Sequence, residues 1–167
     1  VVKDDPRLTG VRTDKCLKKI IVDSRLRIPS NAKLFKSDSA SDCYVLATEK
    51  AGQAKIKAFR EKGVNVIICP ARNGRVDLTF GLKALAKMEI SSVLIEGGSS
   101  LIGSALKDGL VDKLHIYVAP IVVGDAKALS SIVNLAPKKL SQAVQLKDVE
   151  IKNMGEDIFL NGYIKNY

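Results

Sequence analysis

What most limits the fold of this chain is the alternation, over its first two thirds, of short β-branched apolar runs with amphipathic stretches. Residues 20–22 close "KKIIVDS", residues 44–47 form a second run, residues 64–69 a third that stops at Pro70, and residues 92–95 a fourth. Continuous apolar runs of this length suit strands buried on both faces, and the stretches between them suit helices that cover those faces. Ile56 and Phe59 share one helical face ahead of Gly63, a C-terminal cap. Asp77 is placed to cap a helix carrying Leu78, Leu82 and Leu85 on one side. Ser99 or Ser100 is placed to cap another, with Leu101, Ala105 and Leu106 ahead of Gly109.

The last third changes character. Residues 114–123, 144–151 and 158–164 read as strands, and "NMGED" at residues 153–157 is a hairpin loop. The expected class is α/β, with a mixed, mostly parallel sheet flanked by helices and an antiparallel C-terminal hairpin. With 167 residues, 46% hydrophobic, the chain is expected to form one domain over residues 1–167. Cys16, Cys43 and Cys69 lie far apart without a C-x-x-C pair, which argues against a disulfide framework or zinc site and for a reducing, cytoplasmic setting. With a single histidine, His115, no serine triad or histidine-based metal site is expected; His115 reads as a strand-face residue. No run has membrane-spanning length. The formal charge of +9 suits a polyanionic partner, but aromatics make up only 5% and none is interleaved with a basic cluster along the chain, so nucleic acid is not the expected partner.

Ligands of open α/β sheets gather beyond the carboxyl ends of the strands. Those ends read Asp23-Ser24-Arg25, Ala47-Thr48 and Glu96-Gly97-Gly98-Ser99-Ser100. The last pairs glycines, which let backbone N–H groups approach a ligand, with a helix N-terminus that favours anions. A tight strand-to-helix connection is an equal reading of the same residues. Glu96 is either a structural carboxylate or a polar contact for substrate. Arg12 in "DDPRLTGVR" and Arg25 and Arg27 in "DSRLRIP" are either surface arginines or phosphate clamps.

Four collinear segments, "DDPRLT", "IIVDSRLRIP", "VLIEGGSSLIGSALKDGLVDKLHIYVAPIVVG" and "GEDIFLNGY", resemble one known family. It is the reductase domain of riboflavin biosynthesis, the C-terminal half of the bifunctional pyrimidine deaminase/reductase, which has the dihydrofolate-reductase fold. Relative to that family the chain reads as lacking an N-terminal segment. The resemblance implies NADPH-dependent reduction of a phosphorylated pyrimidine, 5-amino-6-(5-phosphoribosylamino)uracil, by hydride transfer to ribose C1′. It implies that Gly98, Ser99, Ser100, Leu101, Ile102, Gly103 and Ser104 hold the cofactor diphosphate. By the same resemblance Ser24 touches the adenosine side, Arg25 and Arg27 meet the 2′-phosphate, and Asp4 lies near the cofactor. Leu8, Arg12 and Glu96 fall to the substrate, with Glu96 and Asp4 the candidate proton donors. A homodimer, a deaminase domain in the parent protein and a cis Gly97-Gly98 bond are further implications. A reductase of another pterin or pyrimidine, or an inactive nucleotide-binding fragment, is the alternative.

Overall fold

Each of the first three apolar runs becomes a strand of one parallel sheet in the computed structural model, which describes residues 5–8, 17–36 and 40–165. The chain divides into two compact units, Val1–Ser91 and Ser92–Tyr167.

In the first unit β1 (Lys19–Val22) pairs with β2 (Cys43–Ala47), and β2 pairs with β3 (Asn65–Ile68), all parallel, in the order β1-β2-β3. Every residue of β2 is buried, as an unbroken apolar central strand requires. Two 3-10 turns, Lys33–Phe35 and Ala40–Asp42, lie between β1 and β2, and the first drives Leu34 and Phe35 into the core. Between β2 and β3 runs α1 (Gln53–Glu61), whose buried residues are Ile56 and Phe59. The Phe59 ring meets Phe35 edge to face at 5.2 Å. Such a pair adds about 1 kcal/mol beyond its buried area. Gly63 ends α1 with φ +82°, a left-handed conformation that suits glycine.

After β3 the chain turns through a small hairpin, β4 (Ala71–Arg72) and β5 (Arg75–Val76), across Asn73 and Gly74. Both turn residues have positive φ, 52° and 75°, as a type I′ turn demands. α2 (Leu78–Ala86) follows, with Asp77 accepting a hydrogen bond from the Phe80 amide at 2.9 Å. Asp77 therefore caps α2 as its sequence suggests, and Leu78 and Leu85 are buried beneath it.

The second unit holds α3 (Ser99–Lys107) and a three-stranded antiparallel sheet in the order β6-β8-β7. Its strands are β6 (Lys113–Val118), β7 (Leu146–Met154) and β8 (Asp157–Ile164). A two-residue turn joins β7 to β8, with Gly155 at φ +66° in its first position. A bulge between Lys147 and Glu150 resets the register of β7 against β8.

Three expectations need correction. Residues 92–95 form no strand: among the described residues they belong to no ladder, and Leu94 is 72% exposed. Apolar β-branched residues favour extended backbone, but a strand exists only where a neighbour takes its N–H and C=O groups. Strand β6 ends at Val118 rather than running to residue 123; Pro120 follows, and Val122 is 96% exposed. Helix α3 is capped by Gly98, at φ 75°, not by either serine.

Candidate active site

In the first unit the carboxyl ends of the parallel strands are tied together by polar side chains. The buried Asp23 carboxylate accepts hydrogen bonds from the Ile28 amide at 2.8 Å and the Arg25 amide at 3.3 Å, and the Arg27 Nε lies 3.7 Å away. Leu26, fully buried at φ 49°, and Ile28 anchor the loop in the core. The residues on either side of Leu26, Arg25 and Arg27, are consequently exposed. Ser24 serves the framework at two points. Its carbonyl accepts both the Thr48 hydroxyl at 2.7 Å and the Thr48 amide at 3.1 Å, and its own Oγ accepts the Val76 amide at 3.1 Å. Thr48 is fully buried, and these bonds meet its polar demand.

The bond from Val76 to Ser24 also brings the β4–β5 hairpin to this end of the sheet. Its exposed arginines Arg72 and Arg75 join Arg25 and Arg27 there, and the Lys50 ammonium lies against the turn at Gly74. These three cations are absent from the site read along the sequence. Asn73-Gly74 between two arginines was the available signal, since that dipeptide is the strongest short hairpin mark. Behind them Cys69 is buried, its thiol pushed above its ordinary value first by desolvation and then by the negative charge of Asp77.

In the second unit the segment Glu96-Gly97-Gly98 leads into α3, and all three residues are exposed. The Gly98 carbonyl accepts the Leu101 amide at 2.7 Å and the Ile102 amide at 3.1 Å. No side chain caps this end, and the first turn carries no acidic residue. Its leading N–H groups and the positive end of the helix dipole thus suit an anion. No cis peptide bond occurs among the described residues, so Gly97-Gly98 is trans. Further along α3 the residues turn to structure. The Ser104 hydroxyl donates to the Ser100 carbonyl at 2.8 Å, and the Ser99 carbonyl accepts the Val133 amide at 3.4 Å. A methyl group at Gly103 would overlap the Val133 carbonyl, so only glycine fits there.

Of the other residues singled out in the sequence, Asp4 and Arg12 lie outside the described residues. Leu8 is half-buried in a left-handed conformation, φ 49°, and the neighbouring Asp5 accepts the Lys33 amide at 2.9 Å. His115 lies exposed on β6 with its ring stacked on Phe159. No group of three metal-ligating side chains gathers among the described residues, and no described helix is long and apolar enough to cross a membrane.

Comparison with known proteins decides the family. The model of the RibD C-terminal domain matches residues 1–160. The chain belongs to the RibD C-terminal domain family. Among RibD relatives, the riboflavin biosynthesis protein RibD of Actinobacillus pleuropneumoniae is 40% identical over 162 residues, covering 96% of this chain and 43% of that protein. The 2,5-diamino-6-ribosylamino-4(3H)-pyrimidinone 5′-phosphate reductase of Methanothermobacter thermautotrophicus is 29% identical, over 99% of this chain and 76% of that protein. The chain thus spans less than half the length of the RibD protein and about three quarters of the Methanothermobacter reductase. Among solved structures, Acinetobacter baumannii RibD superposes with a TM-score of 0.78 at 22% identity, over 98% of this chain and 44% of that one. The RibD reductase fold, dihydrofolate-reductase-like, is therefore the fold of this chain.

Proposed function

We propose that this chain is the reductase part of a riboflavin-biosynthesis enzyme, acting on 5-amino-6-(5-phosphoribosylamino)uracil with NADPH. The observation that carries the reading is the glycine-capped N-terminus of α3, bare of side-chain caps and acids, directly after Glu96 in a chain of this family. That geometry fits a diphosphate, which needs backbone donors and an approach free of side chains. When bound, NADPH supplies the hydride that opens the ribose at C1′ to the ribitylamino product.

The chain's residues then divide the work. Gly98, Ser99 and Ser100 present the helix amides to the diphosphate, while Leu101 and Ile102 line the same first turn. Gly103 and Ser104 act through packing and the helix backbone. In the first unit Ser24 lies on the adenosine side. Arg25 and Arg27 are left exposed by the Asp23 loop for the 2′-phosphate, and Lys50, Arg72 and Arg75 add positive charge around them. Leu8, Arg12 and Glu96 contact the substrate, and Glu96 or Asp4 delivers the proton. The reading includes one reductase-type domain over residues 1–167, a homodimer, a deaminase domain in the parent protein and a cytoplasmic location.

The test is NADPH oxidation by the product of the complete reading frame that contains this sequence. Saturable oxidation with the phosphoribosylamino-uracil is expected, and Glu96→Gln should lower kcat while leaving the thermal midpoint near that of the parent. A folded protein without turnover would defeat the assignment. The name of the Methanothermobacter relative supports a second substrate, the diamino-pyrimidinone phosphate. The same assay run with both substrates distinguishes them by kcat/KM.

A further inference from the structure

Strand pairing assembles a surface that the linear sequence conceals. On one face of the β6-β8-β7 sheet the register sets Lys113, His115 and Tyr117 opposite Tyr163, Asn161 and Phe159. It sets those three in turn opposite Lys147, Glu150 and Lys152. Phe159 lies between two other rings, with its centroid 5.5 Å from His115 and 4.8 Å from Tyr117. His115 is exposed and Tyr117 is 61% exposed, so a further planar group can reach both rings. Lysines border the ladder on both edge strands. Lys113 lies over the Tyr163 ring at 4.8 Å, while Lys147 and Lys152 are exposed on β7.

Three lysines meet two carboxylates, Glu150 and Asp157, on this face, so lysines are in excess. Its charge repels a second copy of the same face and suits an anion. An acidic peptide would satisfy the lysines but would leave the ring faces without a planar partner. A single strand of nucleic acid satisfies both, with bases on the rings and phosphates on the ammonium groups. Glu150 favours RNA among such strands. Its Oε2 accepts Asn161 Nδ2 at 3.3 Å and Lys152 Nζ at 3.2 Å, which fixes an acceptor amid the lysines. A carboxylate there repels phosphate but accepts a ribose 2′-hydroxyl, the group that separates RNA from DNA.

We propose that this face binds single-stranded RNA, stacking two bases on the rings of His115 and Tyr117 and holding the backbone with Lys113, Lys147 and Lys152.

The chain has no tryptophan and four tyrosines, so binding can be followed in tyrosine fluorescence as well as by anisotropy of a labelled oligo(U). Quenching on titration is expected, with log K falling against log salt with a slope of about −2 for three phosphate contacts on a single strand. Tyr117→Leu should weaken oligo(U) roughly tenfold, the scale of one lost base stack, and remove much of the quench. Tyr117→Phe, which keeps the ring, should bind as the parent does. Lys147→Gln should weaken binding and shallow the salt slope by about 0.7. Oligo(U) should bind more tightly than oligo(dU), and Glu150→Gln should narrow that difference. Circular dichroism checks that each variant keeps its sheet. The proposal is overturned by a folded parent that fails to bind, or by affinity indifferent to Tyr117→Leu. UMP binding as tightly as the oligomer, or equal affinity for U and dU strands, overturns it as well.

Discussion

Gly103 separates a packing role from a binding one. Any side chain there collides with the backbone carbonyl of Val133 rather than with a movable side chain. Gly103→Ala should therefore destabilise the protein by about 1–3 kcal/mol, the usual cost of overpacking, visible as a lowered denaturant midpoint. Gly98 differs: a methyl group has room, its nearest neighbour being Leu101 Cβ at 3.9 Å, but φ of +75° penalises every L side chain. Gly98→Val should weaken NADPH binding more than Gly103→Ala does, as measured by titration of cofactor fluorescence. Cys69 gives a pH prediction. Its folded pKa is raised, so the folded protein holds the thiol proton more tightly than the unfolded chain. Its contribution is fully present below the ordinary value of 9.0 and is lost as pH rises from there through the folded pKa. Unfolding midpoints measured on either side of 9.0 should fall with rising pH, and Cys69→Ala should flatten that fall.

At the scale of elements, Asp77→Ala removes the bond to the Phe80 amide and should cost about 1 kcal/mol, read by thermal denaturation. That cap was legible because capping is local: a carboxylate three residues before an amide needs no distant partner. The same locality made β1 to β3, α1 and the Gly63 cap readable, since each rests on a period or a turn residue within ten positions or so. The cap of α3 and the end of β6 were misplaced by a few residues, but the largest misreading is non-local. Residues 92–95 have the composition of a strand, but a ladder depends on a neighbour that composition does not name. The aromatic ladder of β6 and β8 joins residues more than 40 positions apart, which only register brings together. The site was legible in the same measure. Glycines and serines at the head of α3 marked an anion-friendly end, whereas the exposure of Arg25 and Arg27 depends on the buried Leu26 and Ile28 beside them.

On the scale of the whole molecule, the two units differ in how they are held. The first has an apolar core from Ile21 to Val66 around β2. In the second, Val122, Leu129 and Leu140 are almost fully exposed, as is most of Leu94. The formal charge of +9 keeps copies apart at low salt, and ionic strength screens that repulsion within about 10 Å at 0.1 M. Turbidity at fixed protein concentration should therefore rise with added salt, and Leu94→Lys should lower it; a flat salt response would contradict this account. The segment 92–95 carries a consequence for handling. An extended apolar stretch that joins no ladder among the described residues is a template onto which another chain can add a strand. In a concentrated sample the first strangers to meet there are further molecules of the same protein, so yield during purification depends on how dilute the protein is kept.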